Sequence, residues 1–455
     1  MVTTRSLSKV LLATLLGTLS VALYAAHVRL QSASLTVVGP RADARAEPLQ
    51  ESHTRGASAQ DRLDQELARL ETRLANHPKD YEASLLKGLL YFKSGNLADA
   101  LDELDQLTHR APKFQLAYLI RGDLLLAQTQ TVTDIGRSPL IASLKGEDKR
   151  LQQLRDEARV RVQAYLASLQ SRMMPKALLD MGDSVETALV VDKRSHRLFV
   201  YEKGEQGTQP LRLIRDFYVS TGKLMGNKKV RGDLRTPEGV YFVTRHIPQD
   251  KLADEYGDGA YPTNYPNEYD RHLGRTGDGI WLHGTAADYY SRPPQDSEGC
   301  VVLTNVDLDM VGQYIHPGKT PVVIADGVKW LKPDELRAER KSLLQALEEW
   351  REDWQSGDVD RYLAHYADDF WSGDYDLKSW SRRKRLVARG KTYQKIRLSD
   401  IALFAYPNSA ASGRDIVVAD FQQDYRSNNF SSDMAKRLYL AREEGQWKIL
   451  YEGGQ

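Results

Sequence analysis

Residues 283–303 read HGTAADYYSRPPQDSEGCVVL, and Cys300 within them is the single cysteine of a 455-residue chain. The apolar run Ile280-Trp281-Leu282 leads into His283-Gly284, and a second run, Val301-Val302-Leu303, follows Ser297-Glu298-Gly299-Cys300. Read as two neighbouring strands, these runs bring an imidazole to a thiol 17 positions further on. A thiol is only a few per cent ionised near neutrality, so a reactive cysteine needs a base within reach, and histidine is the side chain best poised to serve. Gly299 would let the chain bend sharply and present amides toward a developing oxyanion. The count alone leaves Cys300 either a buried inert thiol or a reactive one.

Around this stretch the pattern is that of a mostly β domain over 186–326. ALVVDKRSHRLFVYEKG gives a strand at Leu189–Asp192, a turn at Lys193–Ser195 and a strand at Leu198–Tyr201. Further strands are expected at Leu211–Val219, Gly239–Thr244, Gly279–His283 and Pro321–Ile324, with Gly and Pro in the gaps. Residues 251–276 read as a long irregular loop, expected to act as a substrate-facing lid with Tyr261, Asn264 and Tyr265 as contacts. Asp233 and Thr236-Pro237 read as a structural turn. His196, His246, His272 and His316 lack metal-ligand spacing and are assigned to surface or packing. Neither a metal nor a cofactor is expected.

The rest of the chain divides into further modules. Arg5 and Lys9 precede the uncharged run from Val10 to Ala26, the layout of an export signal, cleaved or kept as an anchor, followed by a polar linker over 27–60. The body is therefore expected outside the cytoplasm, where a lone thiol has no disulfide partner in its own chain. From 61 to 180 the period is helical. Pro78 and Pro112, Ala83 and Ala117, and Gly88 and Gly122 recur 34 residues apart, the period of tetratricopeptide hairpins. Two such units either dock a partner or serve as a spacer, packing on a neighbour or dimerising. A helical pattern continues from about Lys145 to Leu179. Over 340–455, Leu343, Leu347, Trp350 and Trp354 mark one helix, and Tyr362, Tyr366 and Phe370 a second. Four strands follow, at Ile396–Tyr406, Asp415–Tyr425, Ala435–Arg442 and Gln446–Tyr451. Sixty-three basic against 62 acidic residues give a net charge of +1, which leaves no global signature of a nucleic-acid binder.

Together, His283-Gly284, the spacing, and Ser297-x-Gly299-Cys300-Val301-x-Leu303 resemble the signature of the L,D-transpeptidase (YkuD-type) catalytic domain. Ser220-Thr221-Gly222, Lys228, and Gly232-Asp233-x-x-Thr236-Pro237-x-Gly239-Val240-Tyr241 stand where that family carries two further blocks. The resemblance implies that Cys300 is the nucleophile, His283 the base and Gly284 the carbonyl that orients the imidazole, with the amides of Gly299 and Cys300 as oxyanion donors. It implies peptidoglycan tetrapeptide stems as partners, attacked at meso-diaminopimelate with release of D-alanine. Ser297 and Glu298 would line the substrate site. The acyl group passes to an amine in transpeptidation or to water in L,D-carboxypeptidation; a non-catalytic envelope scaffold is the remaining reading. The chain departs from the family pattern at Glu298, often His, and at Val302, often Arg or Asn. The C-terminal region resembles an NTF2-like α+β cone, expected to position substrate or to dimerise. The combination is similar to periplasmic cell-shape enzymes of curved and helical Gram-negative bacteria.

Overall fold

The structure, a computed structural model, describes residues 59–129, 149–168, 173–204, 210–286, 289–407 and 413–455. The expected export segment and nearly all of the expected 27–60 linker lie outside these residues. The N-terminal part is helical: α1 (Ala59–Asn76), α2 (Tyr81–Lys93), α3 (Leu97–Arg110), α4 (Gln115–Ala127) and α5 (Lys149–Ser168). Asp80 caps α2 by accepting the Ala83 amide at 2.9 Å, satisfying one of the donors that a helix start leaves free. Gly88 lets α2 approach α3 closely, since a Cβ there would come within 3.0 Å of Leu104 Cγ. Leu104, Leu107, Leu116 and Ile120 fill the core between the hairpins.

The helical pattern expected to reach Leu179 does not extend that far. Pro175 has no amide to give a helix interior, and Leu178–Met181 instead form strand β1, placed against Phe404, Leu403 and Ala402 of the C-terminal sheet. The end of a stretch read as helical thus becomes an edge strand of another domain.

The central domain carries β2 (Thr187–Asp192), β3 (Arg197–Lys203), β4 (Leu211–Tyr218), β5 (Gly239–Phe242), β6 (Gly259–Pro262), β7 (Trp281–His283), β8 (Val301–Val302) and β9 (Pro321–Ala325). One sheet has the order β4-β3-β2-β9-β5; a smaller one runs β8-β7-β6 and ends on Ile247–Pro248. Burial of both faces explains why β2 is apolar from Ala188 to Val191. Leu189 and Val191 face a core shared with Leu282, Val301 and Leu308, whereas Ala188 and Val190 face the core shared with the C-terminal domain. The expected lid over 251–276 is instead largely ordered structure. It contains β6, paired with β7, and helix α6 (Glu268–His272), opened by a capping box between Asn267 and Asp270.

After α7 (Asn305–Gly312) of the central domain, the C-terminal domain comprises α8 (Pro333–Ser356), α9 (Val359–Leu363), β10 (Tyr366–Ser372), α10 (Leu377–Ala388), β11 (Gln394–Ala405), β12 (Ile416–Ser427), β13 (Ser431–Glu443) and β14 (Gln446–Gly454). Its sheet runs from Tyr375–Asp376 through β10-β14-β13-β12-β11 to β1. The second helix expected through Tyr366 and Phe370 ends at Leu363, and those two residues lie on β10. A spacing of four keeps side chains on one face of a strand as well as of a helix, and pairing with β14 decides for the strand. Arg437 and the Tyr439 hydroxyl reach Glu268 at 3.4 and 3.1 Å, and His272 stacks on Trp371 at 4.3 Å, which joins α6 to this domain.

A buried ionic seam joins the helices to the central domain. Glu82 Oε1 accepts from Arg197 Nη1 at 2.7 Å and from Arg161 Nη1 at 3.0 Å, and Arg161 Nη2 also donates to Glu157 at 2.9 Å. Burial would lift the Glu82 carboxyl, but the Arg197 and Arg161 guanidiniums bring it down to about 2. Burial leaves Glu157, which shares Arg161, at about 7. Removing one member of such a group strands a buried charge. Arg161→Met is therefore expected to cost about 3–5 kcal/mol, seen as a lower urea midpoint for the helical region; an unchanged midpoint would show that the seam does not hold the two parts together.

Candidate active site

Strands β7 and β8 run parallel, with Leu282 opposite Val301 and His283 opposite Val302; the Leu303 amide extends the ladder to His283 O at 2.9 Å. Side chains alternate along a strand, so Trp281, His283, Cys300 and Val302 share one face while Leu282 and Val301 enter the core. That register sets the thiol and the imidazole on adjacent strands of the same surface. On the far side of β8, Ser220 bridges Val302.

His283 is buried, with Nδ1 2.7 Å from Gly284 O. A carbonyl only accepts, so Nδ1 carries the proton and Nε2 is left as the acceptor. Burial, helped by the nearby Arg292 charge, lowers the imidazole to about 4 despite the Gly284 carbonyl. Gly284 is held by Asn305, whose Oδ1 accepts the Thr285 amide at 3.0 Å and the Asp258 amide at 3.3 Å. A Cβ on Gly284 would lie 2.1 Å from that oxygen.

Around Cys300 the turn is built by Ser297. Its buried hydroxyl accepts the Gly299 amide at 3.1 Å and donates to Cys300 O at 2.7 Å. Gly299 adopts φ +135°, and a Cβ there would meet Arg235 O at 2.8 Å, so the position demands glycine. The half-buried Sγ donates to Gly279 O at 3.3 Å. Burial pushes the thiol above its ordinary value, against the Trp281 amide and the Arg292 and Lys228 charges, which pull it down. Both shifts favour a neutral thiol beside a neutral imidazole. Glu298 is 81% exposed and 3.9 Å from Lys223 Nζ, and its charge adds to the upward push on the thiol. Val302 is buried in β8.

The remaining expected residues are placed elsewhere. Tyr261 lies opposite Leu282 and therefore on the face away from His283, stacked on His246. Asn264 Oδ1 accepts the Phe242 amide at 2.9 Å. Tyr265 is buried in the core, its hydroxyl on Thr276 O at 3.2 Å. These three candidate contacts hold the fold rather than facing the thiol. What reaches the site from this region is Tyr256, whose ring meets those of His283 and Trp281 at 5.0 and 5.1 Å. Neither Tyr256 nor Asn305 carried a signal in the sequence beyond the helix start at Thr304-Asn305, because their partners are distant along the chain. Asp233 does organise a turn: it binds Lys228 Nζ at 2.8 Å and the Lys229 amide at 2.7 Å, which holds its carboxyl near 2 against burial. His196 is buried, His272 packs on Trp371, and His316 lies 3.3 Å from Glu186.

A concavity of about 980 Å³ opens in the C-terminal domain among Trp354, Tyr362, Trp380, Lys384, Lys436 and Glu452. Lys384 Nζ sits 4.3 Å from the centre of the Trp380 ring and 3.8 Å from Glu452. Burial lowers this lysine to about 8 although Glu452 opposes the shift.

Residues 186–324 match the L,D-transpeptidase catalytic domain (YkuD), residues 342–453 the Cds6 C-terminal NTF2-like domain, and residues 55–113 and 85–133 the tetratricopeptide repeat. YafK of Escherichia coli K12 is 32% identical over 135 residues, 30% of this chain and 48% of that protein, so the chain spans about half the length of this curated relative. Bd1075 of Bdellovibrio bacteriovorus is 28% identical with a TM-score of 0.54, over 62% of this chain and 98% of that one. The helical cell shape determining protein Pgp2 of Campylobacter jejuni is 30% identical with a TM-score of 0.52, over 61% and 95%. With the His283 and Cys300 strands in the geometry described, residues 186–324 are an L,D-transpeptidase (YkuD) catalytic domain, with tetratricopeptide-type helices before it and an NTF2-like domain after it.

Proposed function

We propose that this protein is a cysteine L,D-transpeptidase of the periplasm that acts on peptidoglycan tetrapeptide stems, releasing D-alanine. The observation that carries the reading is the shared face of His283 and Cys300 on paired strands, with Nδ1 locked to Gly284 O so that Nε2 is the free base. Cys300 Sγ attacks the carbonyl at the L-centre of meso-diaminopimelate as its proton passes to His283 Nε2. The amide of Cys300 meets the oxyanion, since that of Gly299 is given to Ser297. Collapse breaks the C–N bond, and the imidazolium returns the proton to the departing amine of D-alanine. An amine then takes the acyl group to form a crosslink, or water takes it to leave a tripeptide, which is the L,D-carboxypeptidase outcome. Ser297 and Glu298 border the substrate, the latter from the solvent side.

The C-terminal cavity, aromatic with buried lysines, suits it to position the substrate, and the run from Val10 to Ala26 to direct export as a cleaved leader or an anchor. Likeness to Pgp2, whose name describes a helical cell shape determinant, supports a role in cell shape.

Cys300→Ala is expected to abolish release of D-alanine from purified tetrapeptide muropeptides, and His283→Ala to reduce it about 10²–10⁴-fold; unchanged release from Cys300→Ala would sink the assignment. Product mass distinguishes tripeptide from crosslinked dimer. Because burial raises the thiol, the thiolate fraction grows with pH up to and beyond the usual cysteine value. Alkylation of the free enzyme by iodoacetamide should therefore accelerate through about pH 9 without an earlier plateau. A plateau below about pH 8 would instead indicate a resting thiolate–imidazolium pair.

A further inference from the structure

We infer that Arg292 is the carboxylate-binding residue of this active site, pairing with a carboxylate that flanks the scissile amide of the stem peptide. The inference rests on the D-alanine-releasing function proposed above and names how that substrate is recognised.

Among the described cations near the thiol, Lys228 is paired with Asp233 at 2.8 Å, Lys223 is an exposed side chain beside Glu298, and Arg235, like Arg292, has a buried Nε without a hydrogen bond. Arg292 stands on the return between the two catalytic strands. Its Nη2 donates to the backbone oxygen of Asp296 at 3.0 Å, whereas its buried Nε makes no hydrogen bond and lies 3.4 Å from the Asp296 carboxylate. Its charge is felt at both reacting groups, drawing the Cys300 thiol down and disfavouring the imidazolium of His283.

The backbone that carries Arg292 is fastened from two domains. Tyr218 donates to Arg292 O at 2.8 Å, Ser220 Oγ to Pro293 O at 2.7 Å, and the Thr221 amide to Pro294 O at 2.9 Å. From the helices, the Leu116 amide donates to Ser291 Oγ at 3.0 Å and Arg150 to Ser291 O at 3.3 Å, while Tyr81 packs edge-on against Tyr290 at 5.0 Å. Ser220 also bridges Val302, which pairs with His283, so the fastened segment runs along the margin of the catalytic strands. An arginine on a backbone held this firmly, with Nη2 already bonded to Asp296 O, has less entropy to lose on binding, and its planar fork matches a carboxylate better than an ammonium does. A tetrapeptide stem offers two such groups next to the bond that is cut: the terminal carboxylate of D-alanine and the D-centre carboxylate of meso-diaminopimelate.

The test uses the full chain and three muropeptides: the free acid, the C-terminal D-alanine carboxamide, and the form amidated at the D-centre of diaminopimelate. The wild type is expected to process the free acid about tenfold or more faster, by kcat/KM, than one of the two amides. Arg292→Gln should lose at least that factor on the free acid, mostly in KM, and little on the disfavoured amide, so that discrimination collapses; Arg292→Lys should restore part of it. The amide that shows the collapse identifies the carboxylate. Equal losses on all three substrates would make Arg292 a structural residue and overturn the inference while leaving the enzyme assignment intact. Failure of the wild type to release D-alanine from any substrate would overturn both. Calorimetric binding of the three muropeptides to Cys300→Ala, with and without Arg292→Gln, gives the same contrast independently of turnover, and circular dichroism checks that each variant is folded.

Discussion

The parallel pairing of Trp281–His283 with Val301–Val302 is the contact on which the chemistry depends. Parallel neighbours need a crossover, and here the 17-residue return carries no helix of its own among the described residues. Its backbone must therefore be held by other means. Ser220, Thr221 and Tyr218 hold it from the catalytic domain, and Leu116, Arg150 and Arg161 from the helices. A one-residue slip in the pairing would send Cys300 and His283 to opposite faces, so each of these anchors bears on catalysis through register.

Seen this way, the N-terminal helices brace the active-site loop. The Glu82, Arg161 and Arg197 group is buried where the helices meet β3, and Tyr290 packs between Tyr81 and Phe114. A repeat unit too short to form a stable array alone gains its missing neighbour from the catalytic domain. The C-terminal domain is joined as closely, through β1, which leads into the central domain, and through α6, and its apolar core is continuous with one face of the five-stranded sheet.

The neutral resting pair at the site follows from the same burial. Desolvation lowers the imidazole and raises the thiol, so in the proposed reaction proton transfer accompanies attack rather than preceding it. Nδ1 pinned to Gly284 O fixes which nitrogen is the base, and Asn305 fixes Gly284 in turn.

Local pattern was enough to mark His283, Cys300, Gly299 and Ser297, to place the central strands, and to find the 34-residue repeat, because each rests on residues close in sequence or on a strict period. Distant pairing was not legible. Leu178–Met181 and Tyr366–Phe370 are strands because of partners more than 70 residues away, and a four-residue spacing suits either kind of element. Tyr261 and Tyr265 looked like contacts in a polar stretch, but β6 turns Tyr261 away from His283 and the core takes Tyr265. Tyr256, Asn305 and Arg292 became visible only once folding had brought separate segments together. The sequence by itself determined the reactive residue types and their local turn, since those depend on covalent neighbours; the tertiary structure decided which side chains surround them, since burial, charge and register are set by contacts between segments far apart in the chain.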